Sequence, residues 1–124
     1  MMNKILVKTV HGLWFLNTLK ILQADIEAKE KDGWTALIYA ACREQTILTE
    51  LLQAKAQPNA SANNGSSALH GAARNGSQTA VDLLLQAKAD PTAVNKFGDT
   101  AAKLAEYRGH AKLAQRLIQA EGLA

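Results

Sequence analysis

The chain of 124 residues holds one cysteine, Cys42, and two prolines, Pro58 and Pro91. A lone thiol excludes an internal disulfide and a cysteine zinc site, and fits a reducing compartment. No stretch approaches the roughly 18 to 20 apolar residues that span a bilayer. The longest candidate, Ile5-Leu6-Val7 followed by Leu13-Trp14-Phe15-Leu16, is interrupted by Lys8, His11 and Lys20. Lys4 and a cut after Ala24 would suit a secretion signal, but Lys8 inside the apolar stretch argues for an amphipathic helix instead. Charge of one sign is also scarce: 14 basic against 11 acidic residues give +3, with both signs mixed along the chain. Nucleic-acid binding wants a concentrated basic stripe, which is missing. No phosphate-binding glycine loop is present either, since Asn63-Asn64-Gly65-Ser66-Ser67 lacks the Gly-Lys-Ser/Thr ending.

What the chain does have is 48% hydrophobic residues, a single-domain length and an internal repeat. Asp32-Gly33-Trp34-Thr35-Ala36-Leu37 lines up with Asn64-Gly65-Ser66-Ser67-Ala68-Leu69 and with Phe97-Gly98-Asp99-Thr100-Ala101-Ala102, the glycines lying 32 and 33 residues apart. Leu51-Leu52-Gln53-Ala54-Lys55-Ala56-Gln57-Pro58 matches Leu84-Leu85-Gln86-Ala87-Lys88-Ala89-Asp90-Pro91 at 33. Projecting back by 32 sets Gly12 opposite Glu44, Leu16 opposite Leu48 and Leu19 opposite Leu51. The N-terminal segment is therefore read as a degenerate capping unit, and the chain as one domain of units 1–29, 30–61, 62–94 and 95–124.

Each unit reads as helix, short turn, helix, long turn. Thr35 and Ser67 stand before Ala/Leu runs as helix N-caps. Asn75-Gly76 and Arg108-Gly109 end the first helix with a residue that tolerates left-handed geometry. Val81, Leu84 and Leu85 give the second helix its inward stripe. Prolines two residues after Ala56 and Ala89 stop any continuation. The Asn, Ser, Gly and Lys-rich stretches that follow suit extended arms and a tight turn.

These residues carry a resemblance to the ankyrin-repeat family, through Gly-x-Thr-Ala-Leu-x-x-Ala-Ala at residues 33–41 and its copy at 65–73. The resemblance implies an all-α solenoid of about four stacked helix-turn-helix units with short β-hairpin turns projecting sideways. The chain departs from the family at Ala36, Ala68 and Ala101, where proline is usual, and at Gln23, Lys55 and Lys88, where glycine is usual. A non-glycine residue held at positive φ costs on the order of 1 kcal/mol, so Lys55→Gly or Lys88→Gly is expected to raise the melting temperature. His70 keeps the family's motif histidine and is expected to bond backbone or hydroxyl groups around the turn. Lys103, Glu106 and Lys112 suit a solvated C-terminal cap.

Catalysis has no positive sign. Cys42 ends a first helix and His70 starts the next, a separation with no obvious advantage for a Cys–His pair. His11, His70 and His110 fall in different units, so no metal or other cofactor is expected. The functional surface is expected among non-repeating positions: Lys31, Asp32 and Trp34; Asn63, Asn64 and Ser66; Lys96, Phe97 and Asp99 around the turns. Arg43, Arg74, Asn75, Tyr107 and Arg108 add the ends of the first helices. The resemblance implies that hairpin tips and the concave helix face bind partners. Aromatic residues and arginines are the types enriched in binding hot spots. Trp34 alternatively packs on Tyr39 or a neighbouring hairpin. Arg43, Arg74 and Arg108 form either a basic ladder facing an acidic segment or a solvated rim. The expected function is a non-enzymatic protein-interaction module in the cytoplasm or nucleus, with no role for a membrane. Nucleic-acid binding and self-association as a homodimer are the alternatives.

Overall fold

The computed structural model describes residues 26–43 and 45–123. Expectations on the capping unit, on Gln23 and on His11 lie outside the described residues. Six helices are present among those described: α1 (Ala36–Arg43), α2 (Gln45–Gln53), α3 (Ala68–Asn75), α4 (Gln78–Gln86), α5 (Ala101–Tyr107) and α6 (Ala111–Leu123). They form three helix pairs. Within each pair the two helices pack together, and α1, α3 and α5 also stack on one another in a row.

Small side chains make that row possible. Ala40, Ala72, Ala73 and Ala105 have no exposed surface, and Ala36, Ala41, Ala68, Ala101 and Ala102 are buried with them. The second helices and helix starts supply the bulk: Leu37, Leu48, Leu51, Leu69, Val81, Leu84 and Leu117 are fully buried. Each such residue contributes about 1.5–3 kcal/mol by leaving water.

Helix ends follow the local chemistry. The Thr35, Ser67, Ser77 and Thr100 hydroxyls accept from the amides of Ile38, His70, Ala80 and Lys103 at 3.2–3.4 Å. Gly76 (φ 72°) and Gly109 (φ 82°) take the left-handed conformation after α3 and α5. Lys55 (φ 71°) and Lys88 (φ 73°) hold positive φ after α2 and α4, at the positions where glycine is usual in the family. Glu121 occupies the corresponding place in the last pair, where α6 runs on unbroken to 13 residues against 9 for α2 and α4.

The expected hairpin arms are turns rather than strands. Each turn closes through the same main-chain pattern: Glu30 N to Trp34 O at 3.0 Å, Ala62 N to Ser66 O at 2.8 Å and Asn95 N to Asp99 O at 3.0 Å. One antiparallel bridge, Ser61 with Ser67, is the whole of the β pairing among the described residues. Side chains bond the amides within the turns. Glu30 Oε1 accepts from Asp32 N and Trp34 N, and Asn95 Oδ1 accepts from Phe97 N and Asp99 N. Those side chains capture amides that a strand ladder would use. In the Ala62 turn Asn64 Oδ1 likewise accepts from Ser66 N at 3.0 Å.

Candidate binding surface

The turn tips touch from pair to pair through main-chain bonds. Asn63 N donates to Asp32 O and Lys96 N donates to Asn64 O, both at 2.9 Å. Side chains reinforce the row, with Asn63 Nδ2 donating to Lys31 O at 3.1 Å and Lys29 Nζ to Ser61 O at 3.0 Å. So close an approach requires glycine. A Cβ on Gly33 would lie 2.7 Å from Asn63 N, and one on Gly65 would lie 3.0 Å from Asn95 Cα.

Beside this row lies a cleft of about 380 Å³ lined by Asp32, Trp34, Asn63, Asn64 and Lys96. The fold therefore gathers five of the sequence-selected residues from three separate turns. Trp34 is half-buried and packs edge-on against Tyr39, with ring centroids 5.8 Å apart and planes at 69°. That is the packing alternative for Trp34, and it makes the ring a wall of the cleft rather than a free anchor. The Arg43 guanidinium covers the other part of Tyr39 at 5.5 Å from its centroid. Tyr39, considered from sequence only as packing for Trp34, thus joins the cleft wall to a basic helix end. Its spacing of four residues from Arg43 on a helix is the signal for that contact.

The remaining selected residues are spread more widely. Arg43, Arg74 and Arg108 are all exposed at the ends of α1, α3 and α5. Asn75 Nδ2 donates to Cys42 O, tying two first helices together at the same edge. Ser66 is half-buried, with its amide donating to Asn64 Oδ1 at 3.0 Å. Phe97 is 71% exposed with the Lys96 ammonium 5.2 Å from its ring centroid, and Tyr107 is 67% exposed. The Asp99 carbonyl accepts from His70 Nε2 at 2.8 Å, and its carboxylate accepts from the Tyr107 hydroxyl at 3.5 Å.

His70 is committed at both nitrogens. Nδ1 accepts from Ser67 N at 3.1 Å and lies 2.9 Å from the Ser67 hydroxyl. A carbonyl can only accept, so the proton is on Nε2. Burial holds the His70 pKa below the ordinary histidine range, partly offset by the Asp99 contacts. Cys42 packs against Gly71, and burial pushes its thiol pKa up despite the opposing charges of Arg74 and Arg43. A protonated thiol without the His70 imidazole is a poor nucleophile. Among the described residues, no cluster of histidine, cysteine and carboxylate could hold a metal, and no helix is long and apolar enough to cross a membrane.

A model of ankyrin repeats in three copies matches residues 9–95. The chain belongs to the ankyrin-repeat family. No curated protein matches it. The matched span starts ahead of the described helices, and α5 and α6 lie beyond its end. Ankyrin repeats generally act as protein–protein interaction modules, typically without catalytic activity of their own. Their conserved scaffold fixes shape and leaves the choice of ligand to surface residues.

Proposed function

We propose that this ankyrin-repeat chain is an adaptor that binds another protein along its turn tips and first-helix ends, preferring an acidic segment. The observation that carries the reading is the cleft of about 380 Å³, in which Trp34 meets Asp32, Asn63, Asn64 and Lys96 from successive turns. It offers an aromatic wall, amides for main-chain hydrogen bonds and a cation. The exposed guanidinium groups of Arg43 and Arg74 stand at the far ends of α1 and α3, Arg43 being linked to Trp34 through Tyr39. Basic groups outnumber acidic ones around this surface, and complementary charge sets partner choice and association rate. Residues 1–124 act as one binding domain in this reading, with a cytoplasmic or nuclear partner.

Affinity capture with the intact chain tests it. Arg43→Glu, Arg74→Glu and Lys96→Glu together should release captured partners while the helical circular dichroism stays unchanged. Raising salt should weaken capture by the unaltered chain. Equal capture by the triple variant, or retention of nucleic acid alone, would reject the reading.

A further inference from the structure

Among the described residues, every large hydrophobic side chain left exposed lies at or beyond residue 94: Val94, Phe97, Tyr107, Ile118 and Leu123. The earlier pairs have none. This concentration does not match a purely solvated cap, and it coincides with the end of the stack.

The outer flank of α5 is defined by register. In the preceding pair, His70 and Ala73 are buried, and the His70 ring reaches Asp99 of the next turn. Lys103 and Glu106 hold the same two positions on α5, and both are exposed. Gly76 is pressed by the His110 ring, whereas nothing lies near its counterpart Gly109. Next to Glu106 and Gly109 is a shallow depression of about 270 Å³ bordered by Ala114 and Ile118. Another ankyrin pair stacked in the same register would bury an unmatched cation and an unmatched carboxylate, an arrangement proteins avoid.

A second copy meeting this flank across a two-fold axis removes that objection. Lys103 and Glu106 stand three residues apart on α5, so a two-fold axis can cross the helix midway between them. Two antiparallel α5 helices place Lys103 of one copy on Glu106 of the other, and the reverse, giving two equal ion pairs. Closed dimers require such self-complementary patches. We propose that the α5–α6 end face is a homodimer interface, held by these reciprocal pairs and by Ile118 with its shallow depression. This interface is independent of the adaptor reading, and cleft substitutions should leave it intact.

Sedimentation velocity on the intact chain, from about 1 to 200 µM, tests the proposal over the range in which modest interfaces assemble. The unaltered chain should shift from monomer to dimer. Lys103→Glu or Glu106→Lys alone sets like charges together and should weaken the dimer more than tenfold. Lys103→Glu with Glu106→Lys restores opposite charges and should return the dissociation constant to within about threefold. Ile118→Glu should abolish dimerisation. Circular dichroism should show all variants folded, because the altered side chains are exposed. A chain monomeric throughout the range, a dimer indifferent to the single swaps, or a double swap that stays folded without regaining the dimer would overturn the proposal.

Discussion

The middle pair, α3 with α4, and the last pair, α5 with α6, repeat the same local pattern with different neighbours. Both first helices start at a hydroxyl cap and end beside a left-handed glycine. Gly65 and Gly98 have nearly equal φ, 80° and 79°, although only Gly65 has a turn packed against it. The conformation is thus a local property of the turn. Burial differs because it is conferred by the neighbour: His70 is buried by the following turn, while Lys103 at the same register is exposed.

The two pairs should differ most at the turn glycines. Gly65→Ala meets both left-handed strain and the Asn95 backbone, and should lower stability by about 2–4 kcal/mol. Gly98→Ala meets strain alone and should lose about 1–2 kcal/mol. Urea unfolding of the two variants measures the gap, and equal losses would show that the tips do not stack.

His70→Ala comes next, at about 1–3 kcal/mol, because it strips partners from Ser67 N and Asp99 O. Lys103→Ala should stay within about 0.5 kcal/mol. Acid sharpens the contrast. A histidine with a depressed folded pKa favours the neutral state, so its stabilisation is complete above the unfolded value of about 6.5 and is lost as pH falls below it. Melting temperatures from pH 7.5 down to 5 should drop more for the unaltered chain than for His70→Gln.

Lys88→Gly should then raise stability by about 1 kcal/mol, a few degrees in melting temperature, by relieving left-handed strain. Glu121→Gly, the equivalent change in the last pair, falls within a helix and should lower stability by up to about 1 kcal/mol. Opposite signs at one register would demonstrate that the two second helices end differently.

Arg74→Ala gives the smallest effect on folding, within about 0.5 kcal/mol, while weakening capture of a partner. Trp34→Ala differs from it. The Trp34 ring packs on Tyr39 and against the core, so a loss of about 1–2 kcal/mol in urea unfolding should accompany weaker binding.

The parts legible in sequence are those set by short-range geometry. Periodic glycines located the turns, Thr35 and Ser67 the caps, and Lys55 and Lys88 the positive φ. His70 bonds hydroxyl and backbone groups around the turns because its place on a first helix aims it there. What depends on the neighbour was harder to see. Whether Trp34 faced solvent or Tyr39 turns on how a turn lies over α1. That Phe97 and Tyr107 are exposed depends on tertiary neighbours and not on the local pattern. Strand pairing among the described residues is confined to the Ser61–Ser67 bridge, and α6 runs unbroken through Glu121, where the earlier pairs hold lysine at positive φ. The cleft itself combines residues more than sixty positions apart, so only the repeat could announce it.

The seating of Asn63 against Gly33 recurs as Asn95 against Gly65. Excising the chain between equivalent points of two tiers would deliver Asn95 to Gly33, a glycine already shaped to receive a successor. Recombination can therefore lengthen or shorten such a molecule by whole periods without inventing a new contact, which makes its reach an evolvable quantity separate from its foldability.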